Sequence, residues 1–301
     1  MEKYLDIIKN SYSGYFNYLV YEITNFHWEN YFYGLLIISL TVWGLEILFP
    51  WRKNQKIFRK DFWLDTFYLF FNFFLLNLIA LIALSNTAAT IFNDLLSVFG
   101  LSLSSFQLFD ASQLPWYVGL FIFFVVADFI QWGTHILLHR VPFLWNFHKT
   151  HHSVKEMGFA AHFRYHWMEP VVYKSILYIP IAIIGGFEIE AVAIVHFFNI
   201  TIGHLNHANI GWDYGPFKYI LNNPKMHIWH HSKEMPNKYG VNFGITLSVW
   251  DYLFKTNYIP YSGRDIELGF DDEDTFPKKF INQELYPWSS KENSENKKEL
   301  S

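Results

Sequence analysis

Cysteine is absent from this chain. That excludes disulfides, thiolate zinc sites and iron–sulfur clusters, and leaves histidine and carboxylate as ligands for any metal. Charge is scarce as well: Asp, Glu, Lys and Arg make up 17% of the 301 residues, against about a quarter in soluble domains. Basic excess is missing, with 23 Lys and Arg set against 27 Asp and Glu, a net charge of −4, so no nucleic-acid footprint is expected. The first 30 residues have neither a basic leader nor a small-residue cleavage site, and residues 1–31 read as an amphipathic lead-in lying on a membrane. What fills the sequence instead is apolar: 51% hydrophobic and 21% aromatic. Such an excess is lipid-facing surface.

Long apolar runs bear this out at the level of segments. Residues 32–49 make a spanning candidate of about 27 Å at helical rise, 62–84 a second and 115–138 a third. Residues 50–61, between the first two, carry Arg52, Lys53, Lys56, Arg59 and Lys60, whereas 85–114 contain no Lys or Arg. The positive-inside rule therefore puts the first loop in the cytoplasm. Residues 171–203 are apolar again, broken by Gly185-Gly186 and Glu188, and predict two short helices or a re-entrant hairpin. Domain organisation follows: the lead-in to 31, a transmembrane region over 32–119, a histidine-rich region over 120–257, and a polar C-terminal tail over 258–301 whose last stretch, SSKENSENKKELS, reads as disordered. Trp51, Trp63, Trp116 and Trp132 read as interface anchors. Arg140 and Arg164 suit either lipid head groups or salt bridges within a cap.

Histidine carries the chemistry. His148-x-x-His151-His152 recurs as His227-x-x-His230-His231, and on a helix i, i+3 and i+4 share a face. Pairs at His135/His139, His162/His166 and His204/His207 complete a set in which only His27 and His196 stand outside a repeated spacing. A buried histidine bonded to a carbonyl explains one such residue but not the repeat. Zinc sites take three or four ligands, so this inventory exceeds one ion and fits two. Neighbouring histidines point about a hundred degrees apart on a helix, which lets one segment serve two metals. Asp128, Gln131, His135 and His139 form one polar stripe on the third span, a functional-site signal within a membrane. Gln131 is placed to fix the tautomer of His135. Asp128, about 10 Å deeper, either orients another ligand or lines the path to the metals.

With these residues in view, the chain resembles the fatty acid hydroxylase and sterol desaturase superfamily of integral-membrane di-iron oxygenases. The resemblance rests on Asp128-Phe129, His135-x-x-x-His139-Arg140, Leu144-Trp145-x-Phe147-His148-x-x-His151-His152-Ser153, Arg164-x-His166-x-x-Glu169, His207-Ala208-Asn209, the second triplet, Tyr239-Gly240 and Trp250-Asp251-x-x-Phe254-x-Thr256. It departs at Trp167, at Asn223-Pro224-Lys225, and in the extra histidines 162 and 204, which bears on the substrate rather than on the centre. The resemblance implies an all-α, multi-span transmembrane bundle with a cytoplasmic helical cap holding two iron ions. Its implied ligands are His135, His139, His148, His151, His152, His166, His204, His207, His227, His230 and His231. Asp128, Gln131, Glu169 and Asn209 are the implied catalytic residues, and Asp213 and Asp251 are further carboxylates that offset the metal charge.

Imidazole alone does not choose among Fe, Zn, Cu and Ni, and zinc can substitute for iron in expressed protein. The implied reaction is O2-dependent oxidation of a C–H bond in a fatty acyl, sterol or related lipid. Hydroxylation, desaturation and pterin-dependent ether-lipid cleavage share the ligand set. No glycine-rich nucleotide loop or appended haem domain is recognisable, so electrons would come from a separate donor, a ferredoxin or cytochrome with its reductase. A histidine-lined metal transporter is the competing class, although transporters place ligands near the bilayer midplane. A non-catalytic metal-binding homologue is the third.

Overall fold

The computed structural model describes residues 2–288 and is helical throughout, with two isolated β-bridges and no sheet among those residues. The final run SSKENSENKKELS lies outside them. Helix α1 (Glu2–Thr24) leads to α2 (Tyr31–Leu48), which Asn30 caps by accepting from Tyr33 N at 2.9 Å. Next comes α3, a continuous Phe62–Val98 helix of 37 residues. At about 55 Å it outruns a bilayer core of about 30 Å, so the second span extends well past the end expected at residue 84. Helix α1 runs along its distal half, tied by Lys3 and Tyr4 to Asp94 and by Tyr12 to the Ile79 carbonyl.

Helix α4 (Trp116–Arg140) is the third segment long and apolar enough to cross a membrane, beside α2 and α3. Ile37, Leu40, Ile79, Leu84 and Phe121 stand exposed on these three helices, an apolar exterior that water would not tolerate and lipid would. Val141 and Pro142 turn the chain directly into α5 (Pro142–His152), with proline at the first helical position, where its missing N–H costs nothing. The apolar stretch that follows forms two antiparallel helices, α6 (Met168–Ile184) and α7 (Ile189–His207). Gly185 and Gly186 turn between them with φ of 66° and 69°, a region open to glycine. This is the first of the two arrangements the sequence allowed.

Short helices α8 (Pro224–His230) and α9 (Val249–Phe254) complete the cap. Helix α8 starts where Asn223 accepts from Met226 N at 3.0 Å, with Pro224 following the cap. The basic loop docks under the same cap: Trp51 N donates to Asn209 O, Gln55 Nε2 to Met157 O and Lys60 N to Glu156. Trp132 is buried and donates to Asp251 at 3.1 Å. It is a cap strut rather than an interface anchor, whereas Trp63 and Trp116 remain exposed. Arg164 is also resolved: it is buried against Asp65 at 3.1 Å and Asp61 at 3.3 Å, and Asp65 takes Arg59 on its other side at 2.6 Å. Arg140 instead lies over the Tyr239 ring. Residues 259–288 fold back over the bundle, where Tyr68 Oη donates to Gln283 and Glu284 and Trp288 packs on Phe147 and Trp167.

Candidate metal centre

Four helices deliver histidines to one buried place. His135 and His139 come from the end of α4, His148, His151 and His152 from α5, His207 from the end of α7, and His227, His230 and His231 from α8 and its C-cap. They sort into two groups: His135, His139, His148, His152 and His230, and His151, His207, His227 and His231. Within each, one ring nitrogen per residue lies within 4.8 Å of every other, and two metal–nitrogen bonds of about 2.1 Å span nearly that distance. Each triplet is split. The i and i+4 members of the first triplet serve one group and its i+3 member the other, and the second triplet does the reverse. A triplet therefore does not point three rings at one place; it divides them between the two groups and would link any ions held there.

The ring nitrogens facing inward are set by what holds the outward ones. Nδ1 of His135 lies 2.8 Å from Phe243 O, that of His230 2.8 Å from Val241 O, that of His207 2.7 Å from Gly203 O and that of His151 3.2 Å from Arg164 O. A carbonyl only accepts, so each of these Nδ1 atoms carries the proton and each Nε2 presents a lone pair. The Nε2 atoms of His207 and His151 then face each other at 3.2 Å with no proton available between them. His230 Nε2 is buried with no hydrogen-bond partner among the described residues. Lone pairs converging in a buried place repel unless a cation sits among them, and a divalent metal fits that donor set. Burial, reinforced by the neighbouring rings, holds His148, His152, His227, His230 and His231 well below the ordinary imidazole range. The rings are neutral, as ligands need to be.

Carboxylates support the rings from outside. Glu169 Oε2 lies 2.9 Å from His148 Nδ1, an arrangement that orients a ligand and raises its basicity. Asp251 accepts from Phe243 N, Gly244 N and Trp132, and so fixes the loop segment whose Phe243 carbonyl holds His135. Asp128 accepts from Thr246 N, Leu247 N and Trp250 Nε1. It latches α4 to the cap and joins neither histidine group. Gly240, with φ of 85°, lies where a Cβ would meet His139 Nδ1 at 2.9 Å, so glycine there lets the backbone close over the ligand.

Several expected site residues sit elsewhere. His166 packs against Phe147 and Trp288 and accepts from Met168 N at 3.1 Å, and it belongs to neither group. His204 is 3.0 Å from Ser39 Oγ and 2.9 Å from His162, also outside both. Gln131 does not hold His135, whose Nδ1 goes to Phe243 O instead; it lines the adjoining cavity. Asn209 binds the backbone of Arg52 through both side-chain atoms, and its own N–H goes to Glu46. That makes it a pin for the basic loop. Asp213 pairs with Lys225 at 3.2 Å, away from the rings. The carbonyls of Phe243, Val241, Gly203 and Arg164 went unseen in the sequence, because any residue type supplies a carbonyl.

A cavity of about 350 Å³ opens onto both groups, touching His135 and His148 of one and His151, His207 and His227 of the other. Its further walls are largely apolar and aromatic, with Phe163, Leu177, Ile200 and Ile245 among them. Metal-bound chemistry in such a place meets hydrocarbon rather than bulk water.

Three known proteins are similar to this chain in sequence. The ornithine lipid hydroxylase OlsE of Rhizobium tropici is 28% identical over 190 residues, covering 63% of this chain and 56% of that protein. Alkylglycerol monooxygenase of Homo sapiens is 31% identical over 149 residues, 48% of this chain and 31% of that protein, and its Xenopus tropicalis counterpart 29% identical over 150 residues, 49% and 32%. The chain thus spans about half of the first of these proteins and about a third of the other two. No solved structure matches. The fatty acid hydroxylase family model matches residues 120–256, which hold all nine clustered histidines together with Asp128, Glu169 and Asp251. By that match and by its two histidine groups, this segment is similar to the fatty acid hydroxylase family.

Proposed function

We propose that the chain is an integral-membrane oxygenase that uses two iron ions, O2 and an external electron donor to oxidise a C–H bond of a lipid. The observation that carries the reading is the pair of buried, neutral imidazole groups facing one apolar-walled cavity. A pair of irons would supply O2 activation there, and the nine clustered histidines would hold it. The protein's own part is positional. Glu169 and the four carbonyls aim the rings, Asp128 and Asp251 lock the cap over them, and the cavity walls exclude water and align a chain. Among the named relatives one is a hydroxylase and two are monooxygenases of lipids, which favours oxygen insertion over desaturation. Metal transport fits less well, because the rings lie at helix ends and in the cap, bracketed by carbonyls, with no repeat of the kind that transporters carry.

The basic loop 50–61 shares the cap's end of the bundle, so the metal site is assigned to the cytoplasmic face. The test is turnover. Iron-loaded protein in lipid should consume O2 and yield a hydroxylated lipid only when a ferredoxin or cytochrome and its reductase are added. Full turnover under strict anaerobiosis, or metal flux across proteoliposomes without O2 uptake, would overturn the assignment.

A further inference from the structure

The cavity that reaches both histidine groups contains one ammonium group. Lys174 is the single Lys or Arg among its lining residues. It stands on α6 five residues past Glu169, about 7.5 Å further along the axis, and the apolar side chains of Phe163, Leu177 and Ile200 share the wall. The hydrogen bond recorded for its Nζ is to Asn77 Oδ1 at 3.3 Å, and no carboxylate lies within ion-pair distance among the described residues. His196 lines the same cavity between the rings of Tyr31 and Phe73. Its nitrogens have no hydrogen-bond partner among the described residues.

Lys174 is exposed at the edge of the cavity, free to meet a ligand there, and a cation without a counter-charge on an apolar hairpin marks a ligand pathway. The surrounding chain is shaped to present it. Helix α3 widens into π-helical turns over Phe71–Leu75 and Asn77–Leu81, a distortion that tends to occur at functional places. From this stretch Asn72 donates to Phe163 O and Tyr165 O, Phe73 packs on His196 and Phe163, and Asn77 meets Lys174. The widened turns thus pack behind the lining residues Phe163, Tyr165 and His196 and meet the cavity's ammonium through Asn77.

We propose that Lys174 determines substrate class by pairing with an anionic oxygen, carboxylate or phosphate, of the lipid, while the hydrocarbon runs past Phe163, Leu177 and Ile200 to the histidine groups. This rests on the reading of the cavity as the site of lipid oxidation, but its test reads binding alone. Metal-loaded full-length protein in nanodiscs is titrated with cis-parinaric acid and with its methyl ester, followed by fluorescence. The acid should bind at least about tenfold more tightly, the scale of one charge-assisted hydrogen bond in a low-dielectric site. Lys174→Gln should bring the acid down to the ester's affinity, and Lys174→Arg should keep the preference. Lys174→Met replaces the glutamine variant if that one fails to fold. Displacement by lysophosphatidic acid but not oleate assigns a phosphate source, the converse a free carboxylate, with monoacylglycerol as the neutral control. Equal binding of acid and ester, or a preference that survives loss of the ammonium, overturns the proposal. An enzyme that oxidises lipids yet ignores their charge would sink this inference alone, whereas absent O2 chemistry with intact charge preference would sink only the proposed function.

Discussion

His151 and His152 are neighbours in the chain and belong to different metal groups, as do His230 and His231. Removing one ring should therefore empty one site more than the other. We expect His152→Ala and His231→Ala each to fall from about two metals per chain towards one, since loss of a ligand opens a closed sphere. Elemental analysis after iron reconstitution checks this, and retention of two metals by both variants would refute the ligand assignment. His162→Ala, outside both groups, should keep both metals. Glu169→Gln is subtler: it keeps the shape beside His148 but removes the carboxylate, and metal affinity should weaken about 10- to 100-fold, read by competition with a chelator. Residue by residue, which rings share a helix face is legible from their spacing. The division of each triplet between two histidine groups is only half legible, since it depends on how α5 and α8 cross. His166 and His204 misled for the same reason: they keep the spacing but point at Phe147 and Ser39 instead.

At the scale of elements, apolar runs locate α2 and α4 nearly to their ends and find α3 and the hairpin, but they miss the C-terminal end of α3. Helix α3 continues to Val98 because residues 85–98 hold no helix breaker, and polarity alone does not stop a helix. The segment after residue 258 was read as a tail from its charge, whereas Phe276, Phe280, Gln283 and Glu284 anchor it to the bundle. Glu284 makes that anchor sensitive to pH. Burial pushes its carboxyl up to about 7, against donors from Trp167 N and Tyr68 that pull the other way. An acid whose folded pKa is raised stabilises the folded state at low pH. That contribution declines from its ordinary value of 4.5 as pH rises through about 7. Protection from hydrogen exchange at residues 280–288, taken relative to the intrinsic rate at each pH, should thus be greater at pH 5.5 than at pH 8. Glu284→Gln should flatten the difference, and an unchanged profile in that variant would remove Glu284 as its cause.

For the whole molecule, the decisive relation is between the basic loop and the histidines. Arg52 N and Trp51 N bind Asn209, two residues past His207, and Glu46 at the end of α2 accepts from both Asn209 N and Phe159 N. These bonds place residues 50–61 and the metal cap at one end of the bundle whatever the number of crossings, so the side of one is the side of the other. Two crossings, over 62–84 and 115–138, between the loop and the histidines lead to the same pairing, but a single miscounted helix would reverse that argument; the direct contacts are independent of the count. Five Lys and Arg within this short loop, against none in residues 85–114, bias that end towards the cytoplasm. A reporter fused after Thr256 should then behave as cytoplasmic, and one inserted near residue 105, beyond the distal end of α3, as external. If both report the cytoplasm, α3 and α4 do not cross. If the pair is inverted, the loop charge does not govern insertion, and the electron donor must be sought on the opposite side of the membrane.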